Sequence, residues 1–367
     1  DMAGKFDIRP QKVAVVHYEQ AKIVGNAGQT SELQMLEPLI QGAFSATNTT
    51  IDDMDFVCSG SCDYLSGSAF AFVEAVEALG AFPPIKESHV EMDAAWALYE
   101  TMLKIQCGDI DLAMVYGFGK SSPGELRSVL TLQLDPYYLA PLGIDAVSLA
   151  ALQAQRCLAE GVCSEREMAE VVSRSRANAK GNPASQLSGD VSVEQLLAEP
   201  TFVAPLRKHD CPPVSDGASV MILASLERAK TLCDQPVVIA GAAHAIESSH
   251  PGLRDLTDSS STRAAAQAAG AAAGAIEFAE LYAPFSHQEI VLRKALSLAD
   301  DVALSPSGGA LAGNVMMASG LDRIGHAARL IASGKYQRGI AHATSGACLQ
   351  QNLVAVLEAP ALSGGAA

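Results

Sequence analysis

No apolar run in this 367-residue chain reaches the roughly 18 residues that a membrane span requires, so no transmembrane helix is expected. The N-terminal DMAGKFDIRPQ lacks the apolar core of a signal peptide, and cytoplasm is the expected location. Positive charge is also short. Lys and Arg number 25 against 41 Asp and Glu, a net charge of −16, with a pI near 4.9. Such a surface repels phosphate backbones and anionic headgroups, which excludes nucleic acid and an anionic membrane as partners. Of the eight cysteines, Cys58 with Cys62 and Cys157 with Cys163 are the close pairs, and no histidine stands at zinc-ligand spacing beside either. Free thiols are expected, with no disulfide framework and no metal.

What is present is a chain of 49% hydrophobic and 18% charged residues, long enough to bury two sizeable cores. Its most informative stretch is SPSGGALAGNVMMASG, Ser305 to Gly320. Gly308, Gly309, Gly313 and Gly320 let backbone approach a ligand closely. The pattern Leu321, Ile324, Ala328, Ile331 then starts a helix at Ser319, whose free N–H groups favour an anion or a developing oxyanion. A shift of 226 positions lays helix 94–107 on helix 320–333, Gly108 on Gly334, and the strand Asp111 to Gly117 on Gln337 to Ala343. A second pair, Asp52 to Gly60 and Gly274 to Pro284, precedes those helices in both halves. The chain therefore reads as a duplicated α/β half.

With DCPPVSDGASVMIL (Asp210 to Leu223), AELYAPFSHQE (Ala279 to Glu289), the glycine loop and AHATSGACLQQNLVAVLE (Ala341 to Glu358) in this order, the sequence resembles the thiolase superfamily, nearest its sterol-carrier type. The resemblance implies an α/β fold, a duplicated five-layer αβαβα thiolase fold with an inserted loop domain. It divides the chain into an N-terminal half (1–118 and 210–232), a loop domain (119–209) that covers coenzyme A and shapes the acyl pocket, and a C-terminal half (233–367).

The departures carry the functional reading. Where the family keeps its nucleophilic cysteine, in a segment like Val-Glu-x-x-Cys-Ala-Ser-Gly, this chain has Val90-Glu91-Met92-Asp93-Ala94-Ala95-Trp96-Ala97. The nucleophile position falls on Ala94, or on Asp93 if the register slips by one, so a covalent ping-pong route is closed. Asp93 also reads as a helix N-cap, or as half of a carboxylate pair with Glu91. The family's Asn-Glu-Ala-Phe or His-Asp-Cys-Phe box becomes Tyr282-Ala283-Pro284-Phe285. Its Gly-His-Pro loop becomes Gly313-Asn314-Val315, and its closing Cys-x-Gly box resembles His342-Ala343-Thr344-Ser345-Gly346. Tyr282, His342 and Asn314 are thus the catalytic candidates. Ala94, Asp93, Gly309, Gly313, Gly346 and His287 are the substrate-binding ones, with packing as the alternative for His287.

A thioester carbonyl held by N–H donors stabilises an enolate without a covalent intermediate, which makes retro-aldol cleavage of a β-hydroxyacyl-CoA the leading reading. Tyr282 and His342 are assigned its two proton transfers, with the roles open between them. Two other readings stand beside it, a Cys-independent acyltransferase and a silent lipid-CoA-binding subunit. The resemblance, strongest in CSGSCDYLSG and SHVEMDAAWALYE, further implies a steroid side-chain thioester as substrate and a homodimer paired through an N-terminal edge strand. It also implies a small zinc-ribbon and OB-fold companion in a two-plus-two assembly. Coenzyme A enters as part of the substrate, and no separate cofactor is expected.

Overall fold

The computed structural model describes residues 10–80 and 84–361; most of the N-terminal segment read for a targeting core lies outside them. The first half runs β1 (Val13–Gln20), α1 (Glu32–Thr47), β2 (Phe56–Gly60), α2 (Asp63–Ser66), α3 (Ala71–Val76), β3 (Glu87–Val90), α4 (Ala94–Gln106) and β4 (Leu112–Lys120). An insertion follows, with α5 (Leu126–Leu130), α6 (Ala146–Ala159), α7 (Glu165–Ala179), α8 (Val193–Ala198) and the small hairpin β5 (Thr201–Val203) and β6 (Leu206–Arg207). The chain returns through β7 (Asp216–Ser225) and α9 (Leu226–Ala229). The second half runs β8 (Val237–Ile246), α10 (Ser260–Ala268), β9 (Phe278–Glu280), α11 (Ser286–Ala295), β10 (Ala303–Leu304), α12 (Ser319–Ala332), β11 (Arg338–Ser345) and β12 (Gln351–Glu358).

The duplication is visible in the strand order. One sheet reads β10-β9-β11-β12-β8-β1-β7-β4-β2-β3. Within each half the first, fifth and fourth strands pair antiparallel, and the fourth, second and third pair parallel. The halves join where Val13 of β1 pairs with Ile239 of β8. Gly108 and Gly334, matched by the 226-residue shift, end the turns after α4 and α12 with φ of 73° and 78°, a left-handed backbone that glycine adopts without strain.

Alternation along the strands builds the layers. On β4, Ala113 and Val115 face a core shared with α4 and α12, whereas Leu112, Met114, Tyr116 and Phe118 face α1. On β12, Leu353, Ala355 and Leu357 face the same inner core, and Val354 and Val356 face the outer helices of the second half. Helices α4 and α12 therefore lie between two sheet regions, each covered outside by further helices, giving the expected five layers. Ala-rich α10 packs Ala265 and Ala266 into the outer core of the second half.

The insertion spans residues 121–215 and leaves the sandwich where β4 ends. The buried carboxylate of Asp216 ties its two ends together, accepting from the Ser122 N–H at 3.0 Å, the Ser122 hydroxyl at 2.6 Å and the Ala27 N–H at 2.8 Å. The matching connection of the second half, from β11 to β12, is the short turn 346–350.

Candidate active site

A cavity of about 520 Å³ opens between the insertion and the end of the sandwich where α4 and α12 begin, within the range of small-molecule sites. Leu126, Leu130, Val147, Leu187 and Phe202 give its outer wall an apolar character. Arg127, Arg176 and Lys208 add positive charge to that wall. The Arg127 guanidinium pairs with Asp145 at 2.6 Å and lies 5.5 Å from the Phe202 ring centre. Arg176 keeps its Nε buried with no hydrogen-bond partner among the described residues, and burial holds its pKa below the usual arginine value. The turn from Thr344 to Leu349 forms the opposite wall, anchored by Arg254, which donates to the Ala347 and Cys348 carbonyls at 2.8 Å each.

The floor brings together three of the sequence candidates. Tyr282, just past the end of β9, donates its hydroxyl to Asn314 Oδ1 at 2.7 Å, and both line the cavity with Asp93. Burial, with the nearby Asp93 charge, pushes the Tyr282 phenol well above its ordinary range, so it stands as a neutral donor. Asn314 is fixed from behind by its own N–H, which donates to the Ser215 hydroxyl at 2.9 Å.

Asp93 and Ala94, the two registers left open by the sequence, differ in what they reach. Asp93 caps α4, and it lines the cavity where Ala94 does not. The Ala94 N–H is spent on the Met317 carbonyl at 2.8 Å, and its methyl group packs toward Gly117 of β4. Asp93 Oδ1 accepts from Ala95 of its own helix at 2.8 Å and from Leu321 of α12 at 3.2 Å, while Oδ2 accepts from Gly320 at 2.9 Å. Burial pushes its carboxyl up to about 6, against the downward pull of those N–H groups. Glu91 makes no pair with it; its carboxylate accepts from the Asp63 N–H at 2.6 Å.

Other candidates fall elsewhere. His342 lies inside β11 and on the same face as Ile340, pointing to the outer layer, because successive strand residues alternate faces. Its Nε2 donates to Asn352 Oδ1 at 2.9 Å, and Asn352 reaches the Ser261 hydroxyl of α10 at 2.8 Å. Burial pushes the imidazole down to about 4. It does not line the cavity, so the expected pairing of Tyr282 with His342 is corrected on geometry. His287 is likewise fully buried away from the cavity, 3.0 Å from Gln153 Oε1, and driven down to about 3 by burial. Gly309 and Gly313 do not line it either: Gly309 sits beside Ser305 and Arg323, and Gly313 against Ile23. Gly346 does line it.

Sequence reasoning missed the charges behind the floor. Glu280 accepts from the Ser307 N–H and hydroxyl at 2.8 and 2.7 Å, and its carboxylate lies 3.8 Å from the buried Arg323 guanidinium. Asp322 accepts from Tyr18 at 2.8 Å and from Ser219. A run of acidic and basic residues on the apolar pattern of α12 was the available signal. All eight cysteines are free. Cys211 and Cys348 line the cavity, and burial pushes them up to about 12 and about 11, so both stand as thiols.

No family model matches the chain. An acetyl-CoA acetyltransferase of Methanothermobacter thermautotrophicus is 28% identical over 241 residues, 64% of this chain and 62% of that protein. A 17-hydroxy-3-oxo-4-pregnene-20-carboxyl-CoA lyase of Mycobacterium tuberculosis is 26% identical over 244 residues, 61% of this chain and 62% of that one. The chain thus spans about three-fifths of the length of these curated relatives. Among solved structures, human mitochondrial 3-ketoacyl-CoA thiolase superposes with a TM-score of 0.75, covering 95% of this chain and 99% of that one at 15% identity. The chain has the thiolase fold. An Ltp2-ChsH2(DUF35) aldolase superposes on this thiolase fold with a TM-score of 0.78, covering 96% and 99% at 19% identity. Among the described residues no helix is long and apolar enough to cross a membrane, and no group of three or more His, Cys, Asp or Glu is placed to hold a metal.

Proposed function

We propose that the chain is a carbon–carbon lyase that cleaves a β-hydroxyacyl-CoA by retro-aldol chemistry, without an acyl-enzyme. One observation carries this reading: the floor where α4 and α12 begin holds the neutral Tyr282 phenol bonded to Asn314, and no thiolate. The two thiols on the cavity walls are kept protonated by burial, and Cys348 donates to the Leu149 carbonyl at 3.4 Å. A thioester carbonyl seated against the Asn314 amide N–H, which the Tyr282 hydroxyl orients through its bond to Oδ1, would be polarised by a preorganised donor, which favours an enolate at its α-carbon. The same phenol can return a proton to that carbon as the bond to the β-carbon breaks.

The walls and the relatives support a substrate class. Arg127, Arg176 and Lys208 suit the phosphates of coenzyme A, and the apolar wall suits a bulky acyl group. The lyase relative acts, by its name, on a hydroxylated pregnene carboxyl-CoA, which supports a steroid side-chain thioester. The aldolase structure is named for two components, which supports a companion, here proposed as a small zinc-ribbon and OB-fold protein on a cytoplasmic homodimer. Acyl transfer is the second reading, favoured by the acetyltransferase relative and by Cys348 on the cavity wall.

Incubation with a panel of β-hydroxyacyl-CoA thioesters, with and without candidate companions, tests the proposal. Release of a ketone or aldehyde with a shortened acyl-CoA is expected. Exchange of acyl groups with coenzyme A, together with an acyl-cysteine adduct in mass spectrometry, would overturn it in favour of transfer.

A further inference from the structure

Asp93 is held by more of the fold than a helix cap requires. An ordinary cap satisfies N–H groups of one helix; this carboxylate satisfies Ala95 at the start of α4 and both Gly320 and Leu321 at the start of α12. Its seat excludes larger neighbours. A Cβ on Gly320 would lie 2.4 Å from Asp93 Oδ1, and a Cβ on Gly60, at the end of β2, would lie 2.4 Å from the Ala94 nitrogen. Met317 takes a left-handed φ of 74° in the loop whose carbonyl meets Ala94. Of roughly four lone-pair sites on a carboxylate, three are engaged by these N–H groups, leaving one on Oδ2 in a residue that lines the cavity beside Tyr282.

We propose that Asp93 is the base of the cleavage step, taking the proton of the substrate's β-hydroxyl. This rests on the carbon–carbon lyase reading above. As the carboxylate accepts that proton, the O–H electrons form the carbonyl of the leaving ketone or aldehyde. The Cα–Cβ pair moves into the thioester enolate. Tyr282 then protonates the α-carbon, and the proton on Asp93 restores the phenol. One proton passes from β-oxygen to α-carbon overall, and no oxidant or reductant is consumed.

The electrostatic setting agrees. A carboxyl raised by burial is ionised at neutral pH yet more basic than a solvated one, and Asp93 stands near 6. Asp322 of α12 adds to that rise, and Tyr282 faces it from the segment after β9. Helix α4 brings no titratable side chain before Tyr99, while Arg127, Arg176, Glu199, Lys208, His209 and Cys211 line the cavity from the insertion and Cys348 from the opposite wall.

The test compares wild type, Asp93→Asn and Asp93→Ser, the last retaining a hydroxyl that caps helices. All are assayed with the cleaved β-hydroxyacyl-CoA and whichever companion supports activity. Expected are turnover losses of roughly 10²–10⁴-fold in both variants, with thioester affinity by calorimetry little changed. Wild-type kcat/KM should fall below about pH 6, the value at which Asp93 protonates, and residual variant activity should lack that limb. Losses under about tenfold, or an acidic limb retained in the variants, would remove Asp93 as the base. If neither variant folds, the wild-type profile decides, and a limb near the ordinary carboxylate value of about 4, or none, overturns the assignment. Failure of the parent reading looks different: wild type then cleaves no β-hydroxyacyl-CoA under any condition, and the base falls with it.

Discussion

The two halves of the molecule share strand order, inner helix and turn, yet they begin their inner helices differently. Helix α4 carries its own cap in Asp93, whereas the residue at the cap position of α12, Ala318, offers no side-chain cap. The second half borrows the carboxylate of the first. By the 226-residue shift, Ala94 corresponds to Gly320, and the missing methyl group is what admits the borrowed carboxylate. Asp93 thus serves the starts of both inner helices, and it meets Tyr282 and Asn314 of the second half at the cavity floor.

The largest test of this asymmetry is on chemistry. Tyr282→Phe keeps the ring and removes the donor, and turnover should fall by roughly 10²–10⁴-fold, measured with the cleaved thioester while circular dichroism shows the fold retained. Gly320→Ala attacks the borrowed cap directly. Its methyl group would meet Asp93 and lie 2.7 Å from the Ala343 Cβ, and overpacking of this kind costs about 1–3 kcal/mol, read from denaturant midpoints. The mirror change, Ala94→Gly, creates no clash and should cost about 1 kcal/mol through helix propensity; an equal loss in the two variants would mean that the halves are not distinguished by Asp93. Smaller still is a pH effect. Because the folded-state Asp93 carboxyl is raised to about 6 from the ordinary 3.8, the folded chain holds that proton more tightly, and stability present at low pH declines as pH rises between those values. Asp93→Asn should flatten that part of the thermal-denaturation profile. Least affected should be turnover in His342→Gln, with a stability cost of about 1–3 kcal/mol for disturbing a buried hydrogen bond.

The fold was legible because the repeat lies in periodicity, which survives when residue identity does not. Helix α12 starts at Ser319 as its apolar spacing predicts, and Gly108 and Gly334 mark equivalent turns. The floor was legible only in part. Tyr282 and Asn314 each lie within an aligned motif, and Asp93 before Ala94-Ala95 carried the cap signal that places it at the start of α4. His342 was misplaced although the alternation of Ile340, His342 and Thr344 against Ala341 and Ala343 puts it on one face of β11. Arg127, Arg176, Phe202 and Lys208 gave no warning at all, since they reach one cavity from separate elements of the insertion. No local pattern encodes that convergence.

Pinning both ends of the insertion at Asp216 makes it a closed appendix to a finished scaffold. Lengthening a closed loop is inexpensive, at about 0.6 kcal/mol for each doubling. A lineage can therefore trim, extend or exchange the stretch between Ser122 and Ser215, and so redraw the outer wall of the cavity. Asp93 and Tyr282, rooted in the scaffold, would keep their registration through such exchanges, which separates what the protein does from what it does it to.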